Sequence, residues 1–183
     1  VIGLLIASQV YYWFFCRIEI EPGMSGLLIA KMGTDLPPGE IIATDSSYKG
    51  IQLQMLPEGR HFYNPVVWDW QLVPQVEVPN NHLGVVIRYY GRNFTAAEIK
   101  AGKVIAGEGM KGITEKVLRP GKYRINPYAE KLEIHEAIEI PAGFVGVITN
   151  LAGRTPKEPN AFLVGEGEKG VSHKILSPGT YYN

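Results

Sequence analysis

Gly50-Ile51-Gln52-Leu53-Gln54-Met55-Leu56-Pro57-Glu58-Gly59-Arg60-His61-Phe62-Tyr63-Asn64-Pro65 decides the fold, because the chain writes the same sentence twice more. Gly112-Ile113 leads to Leu118-Arg119-Pro120-Gly121 and then Asn126-Pro127. Gly170-Val171 leads to Leu176-Ser177-Pro178-Gly179 and then Asn183. Gly59, Gly121 and Gly179 follow one another at 62 and 58 residues. A repeat of that period is one supersecondary unit that buries its apolar face by stacking on a neighbour.

Upstream, each copy opens on alternating apolar and acidic residues that run into proline: Ile18-Glu19-Ile20-Glu21-Pro22, Val76-Glu77-Val78-Pro79 and Ile138-Glu139-Ile140-Pro141. Period two marks a half-buried strand whose glutamates face solvent, and proline ends its ladder. A tight turn follows, then an apolar strand held between Gly26 and Gly33, Gly84 and Gly91, or Gly146 and Gly153. A polar loop of variable length leads on to Gly50, Gly112 or Gly170. The Leu-x-Pro/Gly turn, with Gly59, Pro120, Gly121, Pro178 and Gly179 as its defining residues, then feeds a final strand rich in Tyr or Phe. Proline and glycine fall too often for a long helix beyond residue 20. The expectation is a mostly β chain, an elongated array of small modules at residues 18–75, 76–137 and 138–183. Both earlier copies continue from Asn into Pro where the third reaches Asn183, which predicts further chain beyond it.

Residues 1–16 read VIGLLIASQVYYWFFC and are followed by Arg17. Sixteen helical residues rise about 24 Å, short of the roughly 20 residues that a bilayer core needs. The reading is nonetheless a single transmembrane anchor over residues 1–17, completed by residues upstream. Tyr11, Tyr12, Trp13, Phe14 and Phe15 would form its interfacial belt, with Arg17 snorkelling and membrane lipids as partners. A cleaved signal peptide needs small residues before the cut, and this end is aromatic. A buried core helix is the competing reading, although nothing else in the chain is helical enough to surround it. A single-pass membrane location follows; the orientation is not readable without the charges on the other flank, and a single N-terminal anchor more often leaves the following domain extracytoplasmic. Cys16, at the boundary, is a candidate for lipidation.

Composition narrows the chemistry. The 183 residues carry 18 bases and 18 acids, so no basic stripe points to nucleic acid, and one cysteine excludes an internal disulfide or a multi-cysteine metal site. Residues 107–112 and 165–170 match G-x-G-x-x-G, but Pro120-Gly121 and Pro178-Gly179 arrive too soon for the helix that a dinucleotide site requires. Hairpin turns account for both matches. His61, His82, His135 and His173 stand at no metal-ligand spacing, and no serine has a nucleophile context. No catalytic residue, cofactor or metal is expected. Asn93-Phe94-Thr95 is a glycosylation sequon. Trp68 and Trp70, in a group without counterpart in the second copy, are read as core between repeats or as an interface.

Residues 78–91 (VPNNHLGVVIRYYG) and 140–148 (IPAGFVGVI), with the turns at residues 56–62, 118–123 and 176–181, resemble the SPFH or band 7 domain of stomatins, prohibitins and flotillins. The resemblance spans essentially residues 18–183. The chain departs from the family in writing the opening motif three times, and it carries neither the family's α/β portion nor its coiled coil. What the resemblance implies is a non-enzymatic, homo-oligomeric scaffold: a ring or cage that organises membrane microdomains and encloses or regulates membrane proteins such as proteases. The alternatives are a membrane-anchored cell-envelope adaptor that grips a partner with its loops, and a membrane-bound hydrolase whose catalytic part lies beyond this chain.

Overall fold

The computed structural model describes residues 2–156, 158 and 162–182. Val1 and Asn183, the outer ends of the expected anchor and of the third module, lie outside the described residues. Helix α1 (Ile2–Phe15) precedes the first module, which consists of β1 (Arg17–Ile20), β2 (Met24–Ala30), β3 (Gly50–Leu56), β4 (Gly59–Phe62) and β5 (Trp68–Pro74). The second module has β6 (Val76–Val78), β7 (His82–Arg88), the short helix α2 (Ala96–Lys100), β8 (Gly112–Leu118), β9 (Gly121–Tyr123) and β10 (Glu130–Glu136). The third has β11 (Ile138–Ile140), β12 (Gly146–Asn150), β13 (Gly170–Leu176) and β14 (Gly179–Tyr181).

One plan generates all three. The entry strand pairs with the closing strand (β1–β4, β6–β9, β11–β14), and the glycine-bracketed strand forms the second sheet, ordered β3-β2-β5, β10-β7-β8 and β12-β13. The register repeats to the residue. Gly26 lies opposite Leu56, Gly84 opposite Leu118 and Gly146 opposite Leu176, and each ladder slips once, between Leu27 and Ile29, Val85 and Ile87, or Val147 and Thr149. Such a bulge bends the strand over the core and is a built feature of a sheet.

The glycines that define the repeat are steric. A Cβ on Gly26 would come within 2.7 Å of Ile20 Cδ1 and 3.2 Å of Leu56 Cβ. On Gly84 it would meet Leu132 Cδ1 at 2.7 Å, and on Gly146 Ile140 Cδ1 at 2.5 Å. In modules 1 and 3 the isoleucine of the entry strand therefore lies over bare backbone and the two small sheets approach; in module 2 the neighbouring strand's Leu132 takes that place, with the entry-strand Val78 Cγ2 at 3.2 Å. In module 1 the resulting core is Ile18, Ile20, Leu28 and Leu56, with Met24, Tyr63, Trp68 and Trp70 packed against it. Glu19, Glu77 and Glu139 point outward, as the alternation requires. Strands β5 and β10 were not anticipated, and β5 places Trp68 opposite Ala30 and Trp70 opposite Leu28.

The loops belong to the modules as well. Ala43 N–H donates to the Ile51 carbonyl at 2.8 Å, and the Ala43 carbonyl accepts from Leu53 N–H at 2.9 Å. Ala106 N–H donates to Ile113 and Val164 N–H to Val171 in the same way. Each loop thus folds back along the outer edge of β3, β8 or β13 and covers it.

The chain divides into two compact units, Val1–Glu77 with Lys122–Lys131, and Val78–Gly121 with Leu132–Asn183. A segment of the second repeat is therefore built into the first unit.

The expected transmembrane anchor at residues 1–17, and with it the single-pass membrane location, is corrected by α1. The helix has 14 residues, about 21 Å at 1.5 Å per residue, against a hydrocarbon core of about 30 Å. Among the described residues no helix is long and apolar enough to cross a membrane. The helix stops because the chain enters β1 at Arg17, whose ladder with β4 runs from Arg17 opposite Phe62 to Ile20 opposite Gly59. The Cys16 carbonyl is already taken by Tyr63 N–H at 2.8 Å.

Candidate functional site

The aromatic end of α1, read as a membrane belt, is fastened to β4. Tyr12 stacks on Phe62 with ring centres 4.6 Å apart, and Trp13 lies 5.9 Å from the same ring. The guanidinium groups of Arg17 and Arg60 sit 5.6 and 5.3 Å from the Trp13 ring centre, a doubled cation–π contact. Both arginines also pair with Glu19, whose carboxyl is held below its ordinary range, chiefly by the Arg17 hydrogen bond. Tyr11 donates its hydroxyl proton to Asn64 Oδ1 at 3.0 Å, and Tyr11 stacks on Phe15. Cys16, the lipidation candidate, is buried. Every residue from Gly3 to Phe15 is nevertheless exposed, Leu4, Leu5, Ile6, Val10 and Phe14 among the large apolar ones.

The Asn-Pro corners do related work in two modules. Asn64 Oδ1 accepts from Val66 N–H at 2.9 Å and Asn126 Oδ1 from Tyr128 N–H at 3.0 Å, closing the same Asx turn. Asn126 goes further and donates from Nδ2 to the Gln52 carbonyl at 2.9 Å. That bond lies within the first unit and ties the second repeat's corner to β3 of the first.

The G-x-G-x-x-G stretches are turns. Met110 N–H returns to the Gly107 carbonyl and Glu168 N–H to that of Gly165, with Gly109 and Gly167 at φ +67° and +74°. Each leads straight into a strand, so no helix N-terminus meets the glycines. Three histidines make local bonds, His61 to the Pro57 carbonyl, His82 to Asn80 and His173 to Val164, and His135 lies 3.9 Å from Glu133. Among the described residues no group of three or more His, Cys, Asp or Glu could hold a metal ion.

The most concentrated polar cluster lies in the module 2 loop. Glu98 accepts from Arg92 through two bonds (2.9 and 3.0 Å), from Thr95 N–H and its hydroxyl, and from Lys103. Together, the Arg92 bond foremost, these push the Glu98 carboxyl far below the usual carboxylate range. Thr95, the last residue of the sequon, serves as N-cap of α2 and forms a capping box with Glu98. The T-x-x-E spacing was visible in the sequence and would have located this helix. Its chemistry is structural, because every donor around the carboxylate belongs to its own loop.

Repeat geometry, a clasped apolar helix and exposed apolar strand residues are what the chain offers. No protein-family model, curated protein or solved structure matches it. Beyond α1, the exposed apolar side chains include Phe144 and Val145, just before β12, and Val147 within it. Their counterparts in modules 1 and 2 are Met24, Ser25 and Leu27, and His82, Leu83 and Val85; Ser25, Leu27 and Leu83 are buried and the other three half-buried.

Proposed function

We propose that the chain is a non-enzymatic scaffold subunit of the SPFH type, which assembles with further copies of itself into a ring or cage. Such an assembly would enclose and regulate other proteins, with membrane proteins and proteases the classes that the resemblance implies. The observation that carries this reading is the threefold repetition of one register, bulge and glycine set. That invests the chain in reproducing a surface at intervals, as stacked arrays do. The exposed apolar residues of α1 support it, since apolar surface left open on a folded chain marks a contact with another molecule. Light scattering coupled to size exclusion tests it: a large, closed, monodisperse assembly is expected, and a monodisperse monomer overturns it.

The adaptor reading retains one specific support. An open groove of about 430 Å³ is lined by Gly102, Lys103, Val104, Ile105, Glu115 and Gly153. It offers an apolar floor with one charge of each sign, the composition of a peptide-binding surface.

A further inference from the structure

Helix α1 carries no charged side chain from Ile2 to Phe15. Two of its polar side chains are satisfied within the chain: Ser8 Oγ donates to the Leu5 carbonyl at 2.9 Å, and the Tyr11 hydroxyl is bound to Asn64. Gln9 differs. It is exposed, and among the described residues its amide has no partner. It stands in a row of side chains four residues apart, Leu5-Gln9-Trp13, beside a second such row, Ile6-Val10-Phe14. The two rows line an open groove of about 430 Å³. Rows of that spacing are the ridges by which helices interlock, the ridge of one lying in the groove of the other. All six residues lie within the helix, so α1 itself bounds the groove. Trp13, at the end of one row, is held by Phe62 and by the guanidinium groups of Arg17 and Arg60. That end of the ridge is therefore ordered before any partner arrives, which lowers the cost of binding.

We propose that this groove is a self-association site, at which the α1 helices of two copies cross ridge into groove with Gln9 against Gln9. Interlocking the four-residue ridges of both helices gives a crossing angle of about −50°. The chemistry of the face selects a second copy as the occupant. With no charge on the helix, a charged partner gains no ion pair there. An aliphatic occupant, lipid included, would cover the groove but leave the Gln9 amide dry and unpaired, which is costly. An amide is donor and acceptor at once, so Gln9 is complementary to itself. A two-fold axis beside it brings the second amide to the matching height by symmetry, where another protein would have to supply one by design. A lone polar residue in an apolar helix seam also fixes the register of the pair. This rests on the scaffold reading and names one of its contacts.

The test sets a charge in the groove against the same charge behind it, read by light scattering in a mild nonionic detergent. Gln9→Glu places two carboxylates against each other and is expected to at least halve the assembly mass, with circular dichroism unchanged. Ser8→Glu, on the side of the helix away from the groove, is expected to leave the mass as it is, and so is Gln9→Asn, which keeps the amide. In a Cys16→Ala background, Val10→Cys is expected to form an intermolecular disulfide on mild oxidation and Ser8→Cys none. An assembly indifferent to Gln9→Glu and uncross-linked at position 10 overturns the α1 contact and leaves the scaffold reading standing. Equal cross-linking at positions 8 and 10 overturns it as unspecific clustering of apolar helices. Flotation of the wild type with neutral phosphatidylcholine vesicles, without a cross-link at position 10, assigns the groove to lipid and overturns it too. A wild-type monomer overturns both the contact and the scaffold.

Discussion

Asn126 Nδ2 donates to the main-chain carbonyl of Gln52 at 2.9 Å, and the two residues, 74 positions apart, are 4% and 6% exposed. A side-chain amide that satisfies a buried carbonyl is worth more to retain than to form, because its loss leaves the carbonyl dry and unpaired.

Asn126→Ala is accordingly expected to destabilise the chain by about 1–3 kcal/mol in urea denaturation. Asn64→Ala, which loses the same Asx turn but only an exposed bond to Tyr11, is expected to cost less than about 1 kcal/mol. Equal costs would mean that the bond to Gln52 adds nothing.

Gly26→Ala drives a methyl group into Ile20 Cδ1 and is expected to cost about 1–3 kcal/mol through overpacking. Ile20→Val removes the offending atom and should recover part of that loss in the double variant. Gly33→Ala is expected to be worse and beyond such rescue. Its Cβ would lie 2.5 Å from the Ser47 carbonyl oxygen, at φ +140°, and backbone cannot step aside. Gly39→Ala, at φ +87° with nothing within 4 Å, should lose only the roughly 1 kcal/mol of a left-handed residue. Thermal melts of the four variants rank them.

The Glu98 cluster predicts a pH dependence of known sign. The folded carboxyl titrates below its ordinary value of 4.5, so its contribution to the loop is complete above that value and is lost as pH falls towards the folded pKa. Hydrogen exchange at the Thr95 and Glu98 amides should accelerate, relative to the intrinsic rate, as the solution is acidified through pH 4. Glu98→Gln should show the faster exchange already at neutral pH and no further acid step.

Phe62→Ala removes the ring on which Tyr12 stacks and against which Trp13 leans. Aromatic pairs contribute about 0.5–1.5 kcal/mol beyond burial. The variant is expected to free α1 from β4, seen as faster proteolytic cleavage near Arg17 and as altered Trp13 emission. Unchanged cleavage would show that the β1–β4 ladder alone fixes the helix.

Much of the β architecture could be read from residues. The Ile-Glu-Ile alternation, the paired glycines and the Leu-x-Pro/Gly turn each announce local geometry, and each was found where expected. β5 and β10 escaped because Trp68-Asp69-Trp70 and Glu130-Lys131-Leu132 differ in composition, although Trp68–Leu72 and Lys131–His135 both alternate with period two. Composition changes between modules while the pairing partner, β2 or β7, does not. The anchor failed for a different reason. Hydropathy records that residues 2–15 avoid water, but not that Arg17 begins a strand and that Tyr12 has Phe62 to lie on. Asn126 had no signal beyond its place in the repeat, because its acceptor is a backbone carbonyl 74 residues away.

The three loops are pinned at both ends. Parallel bridges join Thr34 to Tyr48, Arg92 to Met110 and Arg154 to Glu168, and a second set joins Ala43, Ala106 and Val164 to the neighbouring strand. Between the pins, module 2 spends 28 residues from Gly84 to Gly112 where module 1 spends 24 from Gly26 to Gly50, and it uses the region to house α2. Length can therefore be added there without shifting a single ladder. Each module is a socket of fixed gauge with an interchangeable insert, so a loop can be lengthened or exchanged while the frame that carries it stays as it is.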